Sequence, residues 1–215
     1  MTRRSPISDT AGAGNEIRDR IMLAARAHFF AYGYSSFTMA DLAAELGMSK
    51  KTLYVHFTSK DEIVRAVIDA FAAEARANAE ALLADPQRSF AEKLRAFVHG
   101  MVERLGQLRP FVIRDLQRFA PDLHRHIHEI RSRNVPYIFG RFIAAGQQSG
   151  AVREDVNAPV AIEFFLHAIQ GLLQPEVLQR LHVGPQDVFQ HATNLFFSGL
   201  LTPAGRKDYE KLPTT

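Results

Sequence analysis

Apolar residues recur at helical spacing along almost the whole chain, and no two-residue alternation of the strand type competes with them. Between Arg20 and Tyr34, Ile21, Ala24, Ala25, His28 and Phe29 form one stripe that ends at Gly33. A short stretch follows in which Thr38 starts a helix, Met39, Leu42, Ala43 and Leu46 make its apolar face, and Gly47 stops it through a left-handed turn. Ser49 starts the next helix, held by Leu53 and Phe57 at i, i+4 spacing. Thr38 with Asp41, and Ser59 with Glu62, have the spacing of capping boxes.

Beyond residue 60 the helices lengthen. Residues 61–84 predict a long helix broken at Asp85-Pro86, and Ser89 with Glu92 caps another running to about Gly106. Arg109-Pro110 opens a third, and a fourth runs from Pro121 to about Gly146 with Pro136 as a kink or break. Residues 146–159 read as a loop, and Pro159 and Gly184-Pro185 open two strongly apolar helices. The pattern predicts an all-α protein. An arm (1–14) precedes a three-helix helix-turn-helix unit (15–60), a longer helical domain (61–201) and a polar, frayed tail (202–215).

Composition narrows the picture by exclusion. A chain of 215 residues, 47% hydrophobic, can bury a substantial core. It contains no apolar run long enough for a transmembrane helix and no secretory leader pattern, so a cytoplasmic protein that does not engage membrane is expected. With no cysteine, disulfides, thiol catalysis and cysteine-ligated metal are excluded. No G-x-S-x-G, phosphate loop, dinucleotide fingerprint or H-E-x-x-H occurs, so enzymatic activity and a resident cofactor are not expected. His124, His126 and His128 form H-x-H-x-H, but nothing accompanies them that would complete a metal site.

Charge is uneven. Residues 1–60 carry eight basic against five acidic side chains, whereas residues 61–215 carry 18 of each, so the whole excess of +3 lies with the helix-turn-helix. Lys50, Lys51, Thr52, Tyr54 and His56 point away from the face that Leu53 and Phe57 bury. A helix held on one side with such residues on the other can enter a major groove. Thr38, Ser49, Lys50, Lys51, Thr52, Tyr54, His56 and Lys60 are therefore the candidate DNA-binding residues. Lys51 and Thr52 suit base edges; Thr38 and Lys60 lie at helix starts, where phosphate is favoured. Arg3 and Arg4 suit a mobile arm along the duplex.

The residues from about 16 to 64 resemble the TetR family of bacterial transcriptional regulators. The pattern is carried by Arg20-Ile21, Ala24-Ala25, Phe29, Gly33-Tyr34, Thr38, Asp41-Leu42-Ala43, Gly47, Ser49-Lys50, Thr52-Leu53-Tyr54, His56-Phe57 and Ser59-Lys60. His28 stands where the family usually has an aliphatic residue, and Lys51 where it often has glycine. The resemblance implies a repressor that binds a palindromic operator as a homodimer, the last two long helices of each protomer forming a four-helix seam. On these helices Ile162, Phe165, Leu166, Ile169, Leu173, Val188, Ala192, Leu195 and Phe196 are the candidate interface residues. It also implies a small-molecule pocket whose occupation moves the connecting helix and releases DNA. Phe97, Met101, Phe111, Leu116, Phe119, Phe139, Phe142 and Phe164 are candidate walls, with His99, His167 and Gln170 as polar orienting groups and an apolar or aromatic effector expected. The alternative is a helical domain that binds no small molecule and serves dimerisation or protein docking; it would have a filled interior where a sensor leaves a cavity.

Overall fold

The computed structural model describes residues 7–211, with side chains from residue 15 onward; Arg3 and Arg4 lie outside them. The described residues form eleven α-helices and no strand, apart from one isolated bridge between Val152 and Leu201. The first unit comprises α1 (Ile7–Tyr32), a 3-10 turn (Tyr34–Ser36), α2 (Met39–Glu45) and α3 (Lys50–His56). The second comprises α4 (Lys60–Ala84), α5 (Phe90–Gly106), α6 (Phe111–Phe119), α7 (Pro121–Gln148), α8 (Ala158–Leu172), α9 (Pro175–Leu181), α10 (Pro185–Leu200) and α11 (Pro203–Lys211).

Local chemistry accounts for most of the boundaries. Thr38 and Asp41 form the expected reciprocal capping box on α2, as Ser89 and Glu92 do on α5. At α4 the expectation is only half met. Ser59 accepts from the Glu62 N–H, but the Glu62 carboxylate turns to the N–H and hydroxyl of Thr58 at 2.7 and 2.8 Å, one residue earlier. Gly47, at φ +64°, supplies the left-handed residue of the α2–α3 turn. Pro136 does not break α7, which runs unbroken through it for 28 residues.

Three stretches differ from the sequence expectation. Helix α1 begins at Ile7, so helical residues extend into the segment read as an arm. The apolar helix opened by Pro159 does not run through Gln174-Pro175; proline starts the separate α9 there. Residues 203–211, read as a frayed tail, form α11, pinned where an Arg95 guanidinium N–H donates to the Tyr209 carbonyl and where Gly205 packs against Ala151.

Two hydrophobic cores result. One joins α1–α3 to the first turns of α4 through Ile21, Leu42, Leu53, Phe57, Ile63 and Val67, and takes in Val112, Leu116 and Leu123 of α6 and α7. The other lies among α5, α7, α8 and α10 around Phe97, Phe139, Phe142, Phe165, Phe196 and Phe197. Helix α6 therefore ties the second unit to the first. Its Asp115 accepts from the Ser35 N–H and hydroxyl at 2.8 and 2.5 Å, and the Arg109 N–H donates to the Phe30 carbonyl at 3.1 Å. Gly33, at φ +85°, admits this contact, since a Cβ there would lie 2.7 Å from the Asp115 carboxylate.

Candidate DNA-binding and effector sites

The recognition surface is built by burying one side of a seven-residue helix. Leu53 in α3 and Phe57 at its end are fully buried, while Lys50, Lys51 and Tyr54 on the other side are exposed. Ser49 caps α3 by accepting the Thr52 N–H at 3.0 Å, and its hydroxyl meets that of Thr52 at 2.9 Å. These two residues fix the start of the helix and present Lys50 and Lys51 from its first turn. His56 is half-buried, and its neighbour Val55 is an exposed apolar residue of α3 that sequence reasoning passed over. Arg18 from α1 donates to the His56 carbonyl at 2.8 Å and lies 3.9 Å over the Phe57 ring, fixing the last turn.

Two candidates stand differently from the expectation. Lys60 does not point outward. Its ammonium donates to the Phe37 carbonyl at 2.6 Å and sits over the Tyr34 and Phe37 rings at 4.0 and 4.7 Å. Burial lowers its pKa, against the pull of Asp115, Asp61 and Asp41. Here the aromatic corner offers a carbonyl and two π faces, so the lysine becomes a strut between α4 and the first unit. Thr38 remains exposed, but its hydroxyl is already donated to Asp41 at 2.8 Å. That bond holds the Asp41 carboxyl below the usual carboxylate range. Beside them the Tyr34 hydroxyl donates to Asp61 at 2.5 Å, and burial, reinforced by that carboxylate, pushes its pKa up to about 12. His28, the departure from an aliphatic residue, meets Glu45 of α2 and packs near the Phe37 ring.

The second site is a cavity of about 180 Å³ between the two cores. Its walls come from Phe29 and Phe30 of α1, Ile68, Phe71, Ala72 and Ala75 of α4, Phe97 and Met101 of α5, and Val112, Ile113 and Leu116 of α6. Helices α7, α8 and α10 close it with Ile127, Ile138, Phe139, Ile169, Leu173 and Phe189. Of the side chains expected as walls, Phe97, Met101, Leu116 and Phe139 are brought to it. The others are not. Phe111 and Phe119 are largely exposed, Phe111 against Gly33, because the inner stripe of α6 is Val112, Ile113 and Leu116. Phe142 is buried behind the wall, 5.0 Å from the Phe97 ring. Phe164 is 69% exposed on the outer side of α8.

The expected polar groups are also elsewhere. His99 pairs with Glu103 at 3.4 Å and His167 with Glu163 at 3.6 Å, both on exposed faces, and Gln170 faces Ser132. The polar residues that do border the cavity are His124, Arg131 and Asn134 of α7. A signal for them existed: charge and imidazole interleaved with Ile127, Ile130, Val135 and Ile138 on one helix face. Read as H-x-H-x-H, the segment is weighed as a metal site, set aside for want of further ligands, and not considered as a cavity wall. In the structure His126 turns away to Asp69 at 2.6 Å, while His124 and His128 meet edge to face at 4.7 Å.

The candidate interface residues divide by helix face. Phe165, Leu166, Ile169, Leu173, Val188, Ala192 and Phe196 are buried within the protomer, and Ile162 is half-buried against the same core. Ile169 and Leu173 border the cavity. Only Leu195, 77% exposed, faces outward. It stands on α10 as Val160 and Phe164 stand on α8, where both remain open to solvent. A helix apolar on most sides offers its inner stripe to its own core first, and sequence does not say which stripe that is.

Comparison with known proteins agrees with this architecture. Residues 21–67 match the family model described as bacterial regulatory proteins, tetR family. The chain is 23% identical over 165 residues to the HTH-type transcriptional regulator YvaF of Bacillus subtilis, spanning 77% of this chain and 86% of that one. It is 26% identical over 161 residues to the HTH-type transcriptional repressor ComR of Escherichia coli, spanning 72% and 77%. Among solved structures it shares its fold with SmeT, the repressor of the Stenotrophomonas maltophilia multidrug efflux pump SmeDEF. That likeness has a TM-score of 0.64 and 18% identity over 92% of this chain and 94% of SmeT. SmeT has also been solved as a triclosan complex.

Proposed function

We infer the function of this chain from its membership of the TetR family of bacterial regulatory proteins, which makes it a DNA-binding transcriptional regulator and not an enzyme. It is a cytoplasmic repressor that binds a palindromic operator as a homodimer and is released by a small apolar or aromatic effector. One α3 reaches too few base pairs to select a site in a genome; two on a twofold axis read two half-sites. Lys51 and Thr52 meet base edges, and Lys50, Tyr54 and His56 meet phosphate or nearby bases. The exposed Val160, Phe164 and Leu195 form the outer seam of α8 and α10 on which the second protomer packs.

The observation that carries the effector reading is the cavity, since a module used only for dimerisation has no need of an unfilled interior. Its position supports coupling as well. One wall is α1, which carries the helix-turn-helix, and another is α4, which leads out of it. A ligand that fits best when α4 and α1 are displaced shifts the population toward the released state by its differential affinity.

The test is selection of sheared genomic DNA on the purified protein at about 0.15 M salt, where non-specific phosphate binding is weakened. A Lys51→Ala, Tyr54→Ala double variant serves as control. The wild type enriches a palindrome and the variant, still dimeric, does not. Equal enrichment by both would remove α3 as the recognition helix.

A further inference from the structure

The cavity is apolar except along one line of α7. His124, Arg131 and Asn134 lie at i, i+7 and i+10 on the face that also carries Ile127 and Ile138. Asn134 is half committed, its amide donating to the Ala72 carbonyl of α4 at 3.1 Å. Arg131 is not committed at all. Among the described residues it has no hydrogen bond, ion pair or ring contact. Part of its surface is accessible, as befits a group bordering a cavity, yet the surrounding protein is deep enough that burial alone pulls its pKa down to about 10.

The nearby carboxylates are engaged elsewhere. Asp69 and Glu129 face His126, and Asp122 pairs with Arg125. Burial, followed by the neighbouring positive charges, lowers the pKa values of His124 and His128, so near neutral pH each ring is uncharged and keeps one N–H to donate. Arginine drawn into protein is normally paired, because an unpaired charge there is costly. A structural arginine at this position would have found a carboxylate or a carbonyl.

We propose, on the reading of this cavity as the effector site, that the effector is a small organic acid whose carboxylate binds Arg131, with His124 and Asn134 beside it, and whose apolar body lies among Phe97, Phe139 and Phe189. The missing counter-charge is supplied by the ligand. A guanidinium fork matches a carboxylate in two parallel hydrogen bonds. A bare inorganic anion would satisfy the arginine but leave the phenylalanine wall unfilled. A cavity of about 180 Å³ suits a body of about one aromatic ring or a short alkyl chain. Arg131 also lies one helical turn from Asn134, which holds α7 to the connecting helix α4, so the acid binds beside the contact through which the first unit is reached.

The experiment is isothermal titration at pH 7.5 of the full chain and of Arg131→Met with two matched pairs, 3-phenylpropionate against 3-phenylpropanamide and octanoate against octanamide. On the wild type at least one acid binds about 10-fold or more tighter than its amide. In Arg131→Met that acid loses about 10- to 100-fold while its amide changes little. The ligand-free variant melts roughly 3 °C or more higher, because an unpaired buried cation has been replaced by a packed apolar chain. If the amides bind as well as the acids, the cavity remains an effector site and the organic-acid assignment falls. If neither series binds, the effector reading falls and takes the assignment with it. A variant that melts lower and keeps full affinity for the acids would make Arg131 a structural residue and overturn the proposal.

Discussion

Lys60 at the head of α4 and Arg131 on the inner face of α7 are both cations drawn into protein, in regions that treat them in opposite ways. Around Lys60 a carbonyl and two rings lie within reach, with three carboxylates pulling from farther off. Neighbouring polar groups are equally engaged: Thr38 with Asp41, Tyr34 with Asp61, Ser35 with Asp115. Around Arg131 there is a cavity. A unit whose polar groups are satisfied internally holds a recognition helix in one place, which reading DNA requires. A region that leaves a charge and a void unsatisfied is less stable than it needs to be, and gains most from a ligand.

Core packing gives the largest test of that contrast. Ala43 of α2 and Ala75 of α4 are both buried alanines, but only Ala75 borders the cavity. Ala43→Leu forces extra carbons into a filled core and is expected to cost about 1–3 kcal/mol, or roughly 2–10 °C in melting temperature. Ala75→Leu grows into empty space and is expected to leave stability unchanged or raise it by about 1 kcal/mol. Thermal melts of the two variants beside the wild type decide the matter; equal losses would mean that the cavity is not a void the protein tolerates.

The two cations provide a smaller contrast. Lys60→Met removes a donor from the Phe37 carbonyl and a charge from two ring faces. The expected loss is about 1–2 kcal/mol, opposite in sign to the change expected of Arg131→Met. Chemical denaturation read by far-UV circular dichroism measures it. A Lys60→Met protein as stable as the wild type would show the strut to be idle and return Lys60 to the phosphate-facing role its position suggests.

The same contrast governs what could be read in advance. The helix-turn-helix is specified locally: Thr38, Gly47 and Ser49 mark boundaries a few residues apart, and Leu53 with Phe57 set the buried face of α3. The outward direction of Lys50, Lys51 and Tyr54 followed from that alone. The inward turn of Lys60 did not, because the Phe37 carbonyl and Tyr34 ring reach it from more than twenty residues away. The cavity is non-local throughout. Seven helices contribute, and whether Phe97 or Phe142 faces the void depends on rotations of a few tens of degrees about each axis. Residue type pointed to phenylalanine; geometry kept Phe97 and Phe139 and added Phe29, which the pattern placed on a helix stripe, with Phe30 and Phe71, which it did not single out as walls. Helices α8 and α10 show the limit most plainly, since both of their faces are apolar and the chain itself cannot say which one packs inward.

The histidines beside Arg131 carry the smallest effect, and its sign is the informative part. Burial and positive neighbours hold His124 and His128 below the ordinary histidine value in the folded protein, Arg131 bearing on both and His128 also on His124. In the unfolded chain each titrates near about 6.5. Between the lowered native values and that point, the unfolded state binds more protons than the native one, so stability rises with pH through the window and is lost as pH falls through it. Melting temperature from pH 7.5 to 5.5 is therefore expected to fall less steeply for a His124→Gln, His128→Gln variant than for the wild type, by a margin smaller than either substitution effect above. A bound carboxylate neutralises the Arg131 charge and should flatten the wild-type curve as well. Identical slopes for wild type and variant would mean that the imidazoles are as free as in the unfolded chain, and that the inner face of α7 is not the positively charged, uncompensated surface on which an anionic effector depends.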